Sequence, residues 1–176
     1  NTGANPGSNE WTLSTTSNGS DNIPHFAIES GSSSQGVGAT TSMTLNTWYH
    51  LAGVRSGENL LIYVNGQLEN TVTIGDISVN NVGRDLLLAK LLPCCNTNGQ
   101  FDEIRIWNVA RSEIEIQNNM NRELSGNENG LAAYYNFNEG SGNTLYDQSG
   151  NGNHGTINGA TWIENGNAIT ATEDDG

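Results

Sequence analysis

NTWYHLAGVRSGENLLIYVNGQ, residues 46–67, decides the fold of this chain. Trp48, His50, Ala52 and Val54 recur at every second position, so they share one side of a strand running from Trp48 to Arg55. Leu60, Ile62 and Val64 alternate with Leu61 and Tyr63 in the same way. A period of two over both runs predicts sheet, with one face packed on a core. Ser56-Gly57 and Asn65-Gly66 punctuate the runs. Glycine, and to a lesser degree asparagine, accepts the positive φ of tight hairpin turns. Residues 46–73 therefore read as three successive antiparallel strands.

The rest of the chain repeats this punctuation. Asn-Gly occurs seven times, at Asn18, Asn65, Asn98, Asn129, Asn151, Asn158 and Asn165. Turn signals this dense predict an all-β sandwich of short strands. The 176 residues suffice for one domain with a core. We expect a single domain over 1–176, with an arm at 1–9 and a frayed tail at 163–176. The net charge is −13, from six basic and 19 acidic residues. That balance repels nucleic acid and disfavours an anionic membrane surface. No apolar run approaches the roughly 20 residues of a membrane span. Asn1 opens on polar residues without a signal peptide, so the chain reads as mature, processed or a fragment.

Further strands are expected at Trp11–Thr16, His25–Glu29, Val37–Ala39, Leu86–Lys90, Phe101–Asn108 and Leu131–Phe137. In the Phe101 strand, Ile104 and Ile106 face one way and Glu103, Arg105 and Trp107 the other. In the last strand Leu131, Ala133, Tyr135 and Phe137 share a side. Arg111–Met120 is the one helical candidate. Ser112 suits the N-cap, and Glu113 and Glu115 suit a first turn whose dipole favours acids. Cys94 and Cys95 are adjacent, with Cα atoms about 3.8 Å apart against the usual ~4.4–6.8 Å of a disulfide. A vicinal disulfide, two thiols and a bond to another chain all stay open.

Three segments resemble one family. The first is the 46–67 unit, similar to a "W-x-H-x-A … Y-x-N-G" core. The second is GQFDEIRIWNVARSEIEI, residues 99–116, similar to a "D-E-V-R-I-W-N-x-A-L-S-x-x-E-I" strand and helix. The third is LAAYYNFNEGSGNTLYDQSGNGNHGTINGATW, residues 131–162, which resembles an "F-D-E-G-S-G … D-x-S-G-N-G-N-H-G" segment. All three resemble laminin-G-like jelly-roll domains of the concanavalin A-like lectin/glucanase superfamily. The resemblance implies an antiparallel β-sandwich of jelly-roll type with one short helix near 112–120. It also implies opening strands that nothing before Trp11 supplies. The segment Ile163–Thr172, the same segment of a neighbouring molecule, or a separate cleaved piece would fill that gap.

Candidate sites follow from side-chain chemistry. Asp147, Asn151 and Asn153 share a glycine-rich loop whose oxygens suit the hard Ca²⁺ ion that the resemblance implies as a structural staple. Asp102, on the parity of Ile104, adds an inward carboxylate that needs a partner. Asx-turn capping by Asp147 and Asn151 is the competing account. Trp107, with Glu103 and Arg105 on one strand face and Tyr63 and Tyr134 near it, offers the aromatic and planar polar groups of a sugar site. A local Glu103–Arg105 ion pair with Trp107 capping the core is its alternative. Asp102 and Glu103, being adjacent, point to opposite faces and cannot form a glycosidase pair. No plausible Ser/His/Asp grouping appears, so no enzyme is expected.

The functional expectation is a non-catalytic extracellular recognition or adhesion module, secreted or on a bacterial surface. Its partner would be a glycan or a surface protein. The alternative is a structural subunit of an extracellular filament, joined to copies of itself by strand complementation.

Overall fold

A computed structural model describes residues 8–16, 22–31, 33–75, 77, 79, 85–89, 99–163 and 169–171. The described elements are antiparallel strands and one short helix, as expected. They divide into two compact units: Asn1–Arg84 with Ala110–Arg122, and Asp85–Val109 with Glu123–Gly176. The cysteine pair, Lys90, most of the arm and most of the tail lie outside the described residues.

The first unit is built on two three-stranded sheets. One runs β1 (Ser8–Thr16), β2 (Ile23–Gly31) and β3 (Ser33–Gly38) in spatial order. The other runs β4 (Leu51–Ser56), β5 (Asn59–Val64) and β6 (Gln67–Thr73). Both turns of the second sheet use the expected residues. Gly57 takes φ +58°, and Asn65 and Gly66 take +50° and +77°, the pair of positive values a type I′ hairpin requires.

Alternation sorts β5 onto two covered faces. Leu60, Ile62 and Val64 meet Phe26, Ile28, Val37 and Ala39 from the facing sheet and form the core between the sheets. Leu61 and Tyr63 lie on the outer face with Ala52, Val54 and Ile116 of the helix α1 (Glu113–Asn119). A sheet covered on both faces can bury both parities. The side carrying His50, Ala52 and Val54 is thus the helix side, not the interior between the sheets. The strand itself starts at Leu51 rather than Trp48. The helix begins as expected: Ser112 caps it, and Glu115 completes a capping box by accepting from the Ser112 backbone N–H.

The second unit holds β7 (Gly99–Phe101), β8 (Ile104–Trp107), β9 (Leu131–Tyr135), β10 (Thr144–Leu145), β11 (Gly155–Thr156), β12 (Thr161–Trp162) and β13 (Ile169–Ala171). β8 pairs with β9, β10 with β11, and β13 lies between β12 and β7. Part of the segment expected to fray is therefore a strand inside its own unit.

Three sequence expectations need correction here. The Phe101–Asn108 strand is broken at Asp102 and Glu103, where Glu103 takes φ +54°. Leu86 and Leu87 form no strand and stand half-exposed. Leu131 does not share a side with Ala133. The β8–β9 register slips between Ile106 and Trp107, so Ile106 faces Ala133 while Trp107 faces Leu131, and Ala132 is the extra residue. A one-residue bulge moves the side chains beyond it to the other face. Ala133, Tyr135 and Phe137 accordingly pack with Ile104, Ile106 and Leu145, whereas Leu131 packs with Leu124, Trp107 and Tyr134.

Candidate functional site

The aromatic and polar groups expected to bind sugar do meet, but inside the fold. Tyr134 is only 1% exposed and Tyr63 only 4%, because α1 covers the second and the Leu124–Leu131–Trp107 cluster covers the first. The Tyr134 hydroxyl accepts the Leu124 backbone N–H at 3.3 Å and donates to the Glu103 carboxylate at 2.9 Å. Glu103 also takes a guanidinium hydrogen bond from Arg105, and that guanidinium lies 5.6 Å from the centre of the Tyr134 ring. Burial and the Glu103 charge push the Tyr134 phenol up to about 12. The arrangement is an internal polar network, so Tyr134, Glu103 and Arg105 offer no open platform. Tyr63 belongs to the helix interface. This corrects the expected ligand set; its competing account, an ion pair with Trp107 on the core, describes what is present.

The expected metal residues separate into two places. Asp147, Asn151 and Asn153 share one loop, as their spacing suggests. The buried Asp147 carboxylate accepts backbone N–H groups of Tyr134 and Ser149 on one oxygen and of Asn153 on the other, each at 2.9 Å. Burial alone would raise its pKa, but these bonds outweigh it and hold the group low. Asn151 and Asn153 donate their side-chain amides to the carbonyl of the bulged Ala132, at 3.1 and 2.9 Å, and Asn151 donates also to the Leu131 carbonyl. Ser149 Oγ adds a third bond to the Ala132 oxygen. Asp102 sits instead with Glu103, Glu123 and Arg105, and one of its oxygens accepts the Glu103 N–H at 2.8 Å. Burial and the neighbouring acids raise Asp102 to about 6.

A calcium ion needs about six to eight oxygens pointing inward. Here the loop aims amide nitrogens at a carbonyl, and its carboxylate is turned to N–H donors. The four residues do not fit that ion, and the Asx-capping account fits the loop.

Sequence reasoning placed Trp48 in a buried strand. The structure leaves it 58% exposed, beside Leu45 at 81%. Trp48 precedes β4, which starts at Leu51, and the face that packs with Ile116 of α1 is that of Ala52, Val54, Leu61 and Tyr63. Tyr146 is a second half-exposed aromatic, set edge-on to His154 at 5.4 Å between ring centres.

Residues 2–117, spanning β1 to β6 and most of α1, match the family model described as the concanavalin A-like lectin/glucanases superfamily. The chain belongs to that superfamily. The third resembling segment, residues 131–162, lies outside the match. Among solved structures, a protein of Bacteroides ovatus ATCC 8483, provisionally described as carbohydrate-binding, aligns with TM-score 0.61 and 19% identity over 86% of this superfamily member. The alignment covers 52% of that protein, so the chain spans about half its length. At this identity the likeness is one of fold. An S-layer domain-containing protein of Clostridium thermocellum ATCC 27405 aligns more loosely: TM-score 0.34, 20% identity, 61% of this chain and 63% of that one. No curated protein matches the chain. Among the described residues, no helix is long and apolar enough to cross a membrane, and no three His, Cys, Asp or Glu side chains are grouped to hold a metal.

Proposed function

We propose that this chain is a non-catalytic extracellular recognition module that binds a glycan on a secreted or cell-surface partner. The observation that carries the reading is the surface aromatic Trp48, exposed just before β4. Sugar C–H faces stack on such rings, and a flat exposed platform suits shallow binding. Membership of a lectin/glucanase superfamily and the fold shared with the Bacteroides ovatus protein support it. The committed state of the acids supports a binding rather than a hydrolytic role: Asp147 holds backbone amides, and Glu103 holds Arg105 and Tyr134. An array of glycans, probed with and without EDTA, tests the proposal. Binding to at least one glycan, unchanged by EDTA, is expected. Binding to none overturns it.

A second reading, a filament subunit assembled by strand addition, is favoured by β1. Among the described strands it is the edge of its sheet, and an edge strand is a template for another strand. Trp11 and Leu13 lie opposite the core residues Ile28 and Phe26, yet stay 42% and 40% exposed. A donated strand would cover them. Light scattering and electron microscopy decide it: a monodisperse single copy at high concentration removes the reading.

A further inference from the structure

The geometry points to the Leu45–Trp48 turn as a binding site for neutral saccharides, an inference that rests on the glycan-binding function proposed above. Three independent features meet there. The first is exposure of two apolar side chains on one turn, Leu45 and Trp48. Isolated exposed apolar residues are ordinary, but here an exposed tryptophan lies three residues from an exposed leucine on the same turn.

The second feature is rigidity. Thr44 Oγ lies 3.1 Å from both Thr47 Oγ and the Tyr49 hydroxyl, and the Thr44 backbone N–H donates to that hydroxyl at 3.2 Å. Thr47 Oγ closes the turn onto the Leu45 carbonyl at 3.4 Å. Asn46, at the tip, takes φ +57°, a conformation asparagine tolerates better than other side chains. A turn fixed in advance loses little freedom when a ligand docks. Each hydroxyl keeps hydrogen-bonding capacity beyond the bonds it makes here, since a hydroxyl offers one donor and two acceptor positions. The turn that carries Trp48 thus also carries hydroxyls able to bond those of a sugar.

The third feature selects the charge of the ligand. From Ser30 to Val54 the chain carries no Asp, Glu, Lys or Arg, although the whole chain has 25 such residues and a net charge of −13. The nearest acid joined to this segment, Glu69, is held by the backbone and side-chain donors of Thr40 and Thr41. No cation stands in the stretch to receive a uronate or sulfate. The acidic remainder repels such ligands further. Tyr146, another exposed aromatic, is already engaged edge-on with the His154 ring.

The test uses the whole chain and a panel of neutral cello-, xylo-, manno- and galacto-oligosaccharides beside uronate-containing and sulfated ones, with affinities from titration calorimetry. Wild type is expected to bind a neutral member. Trp48→Ala should weaken that binding about tenfold or more, Trp48→Phe should keep it within about threefold, and Trp11→Ala should leave it unchanged. Unchanged melting temperatures of the Trp48 variants separate loss of the platform from loss of the fold. Full binding by Trp48→Ala overturns this site while leaving glycan recognition standing. Binding of acidic glycans alone overturns the neutral assignment. Binding of no saccharide by wild type overturns the function and this site with it.

Discussion

Asp147 reaches thirteen residues back along the chain to accept the Tyr134 backbone N–H at 2.9 Å. The bond pins the 147–153 loop to β9 beside the bulge at Ala132, where the donors from Ser149, Asn151 and Asn153 converge. One carboxylate therefore serves three amides, that of Tyr134 buried and those of Ser149 and Asn153 partly so. Asp147→Ala should cost about 3–5 kcal/mol, as expected for removing a charged acceptor from several buried or partly buried donors. Because the carboxylate serves the chain itself, EDTA should not move the wild-type melting temperature. Urea denaturation of the variant and thermal melts with EDTA and with added calcium check both halves.

Tyr134→Phe isolates the other buried network. It removes the hydroxyl that bridges Leu124 N–H and Glu103 but keeps the ring under Arg105. A loss of about 1–3 kcal/mol is expected, since the Leu124 amide and the carboxylate each lose a partner. Glycan affinity should not change, because the ring is internal. A variant of wild-type stability with weakened glycan binding would return Tyr134 to the recognition surface.

What could be read in the sequence was what short-range chemistry controls. The hairpins at Gly57 and Asn65-Gly66 follow from residues that accept positive φ, and the Ser112–Glu115 capping box from residues three apart. Alternation also separated Leu60, Ile62 and Val64 from Leu61 and Tyr63 correctly. It could not say how many faces are covered. Tyr63 and Tyr134 each fall on the side of their own strand opposite its main apolar run, yet α1 buries that side of Tyr63 and the Leu124 cluster that side of Tyr134. The break at Glu103 depends on Tyr134, 31 residues away, and no local period reports it. The bulge at Ala132 is a single extra residue, which leaves the alternation intact on each side and changes only which side chains correspond. Trp48 escaped notice for a matching reason: the alternation runs unbroken from Trp48 to Val54 and does not report that strand pairing begins only at Leu51.

Gly53 leaves room for the Phe26 ring of the facing sheet. A Cβ placed there would lie 2.5 Å from the Phe26 ring, and Phe26 is itself a core residue. Gly53→Ala must displace that ring within a packed interior, which typically costs about 1–3 kcal/mol. Gly57→Ala meets no atom within 4 Å, so its cost is only that of holding alanine at φ +58°, about 1 kcal/mol. Paired urea melts should rank Gly53→Ala as the more destabilising and restore part of the loss when Phe26→Leu is added.

Asp102 gives the chain a stability term of opposite sign to its other perturbed acids. Hydrogen bonds hold Asp147, Glu69 and Glu128 below their ordinary values despite partial burial. The folded state therefore gains from their ionisation, a gain present at neutral pH and lost in acid as they are protonated. Asp102 is raised from 3.8 to about 6, chiefly by burial and then by the Glu103 and Glu123 charges. Between those two values the folded chain keeps a proton that the unfolded chain releases. Its contribution is favourable below about pH 4, falls as pH rises, and levels off above about pH 6. Asp102→Asn keeps an oxygen for the Glu103 N–H and removes the ionisation. The variant should match wild type near pH 4, gain on it through pH 5 and 6, and stay more stable by a constant margin at pH 7 and 8. Thermal melts across that range check the shape. A stability difference independent of pH would mean that Asp102 ionises in the folded chain as it does in the unfolded one.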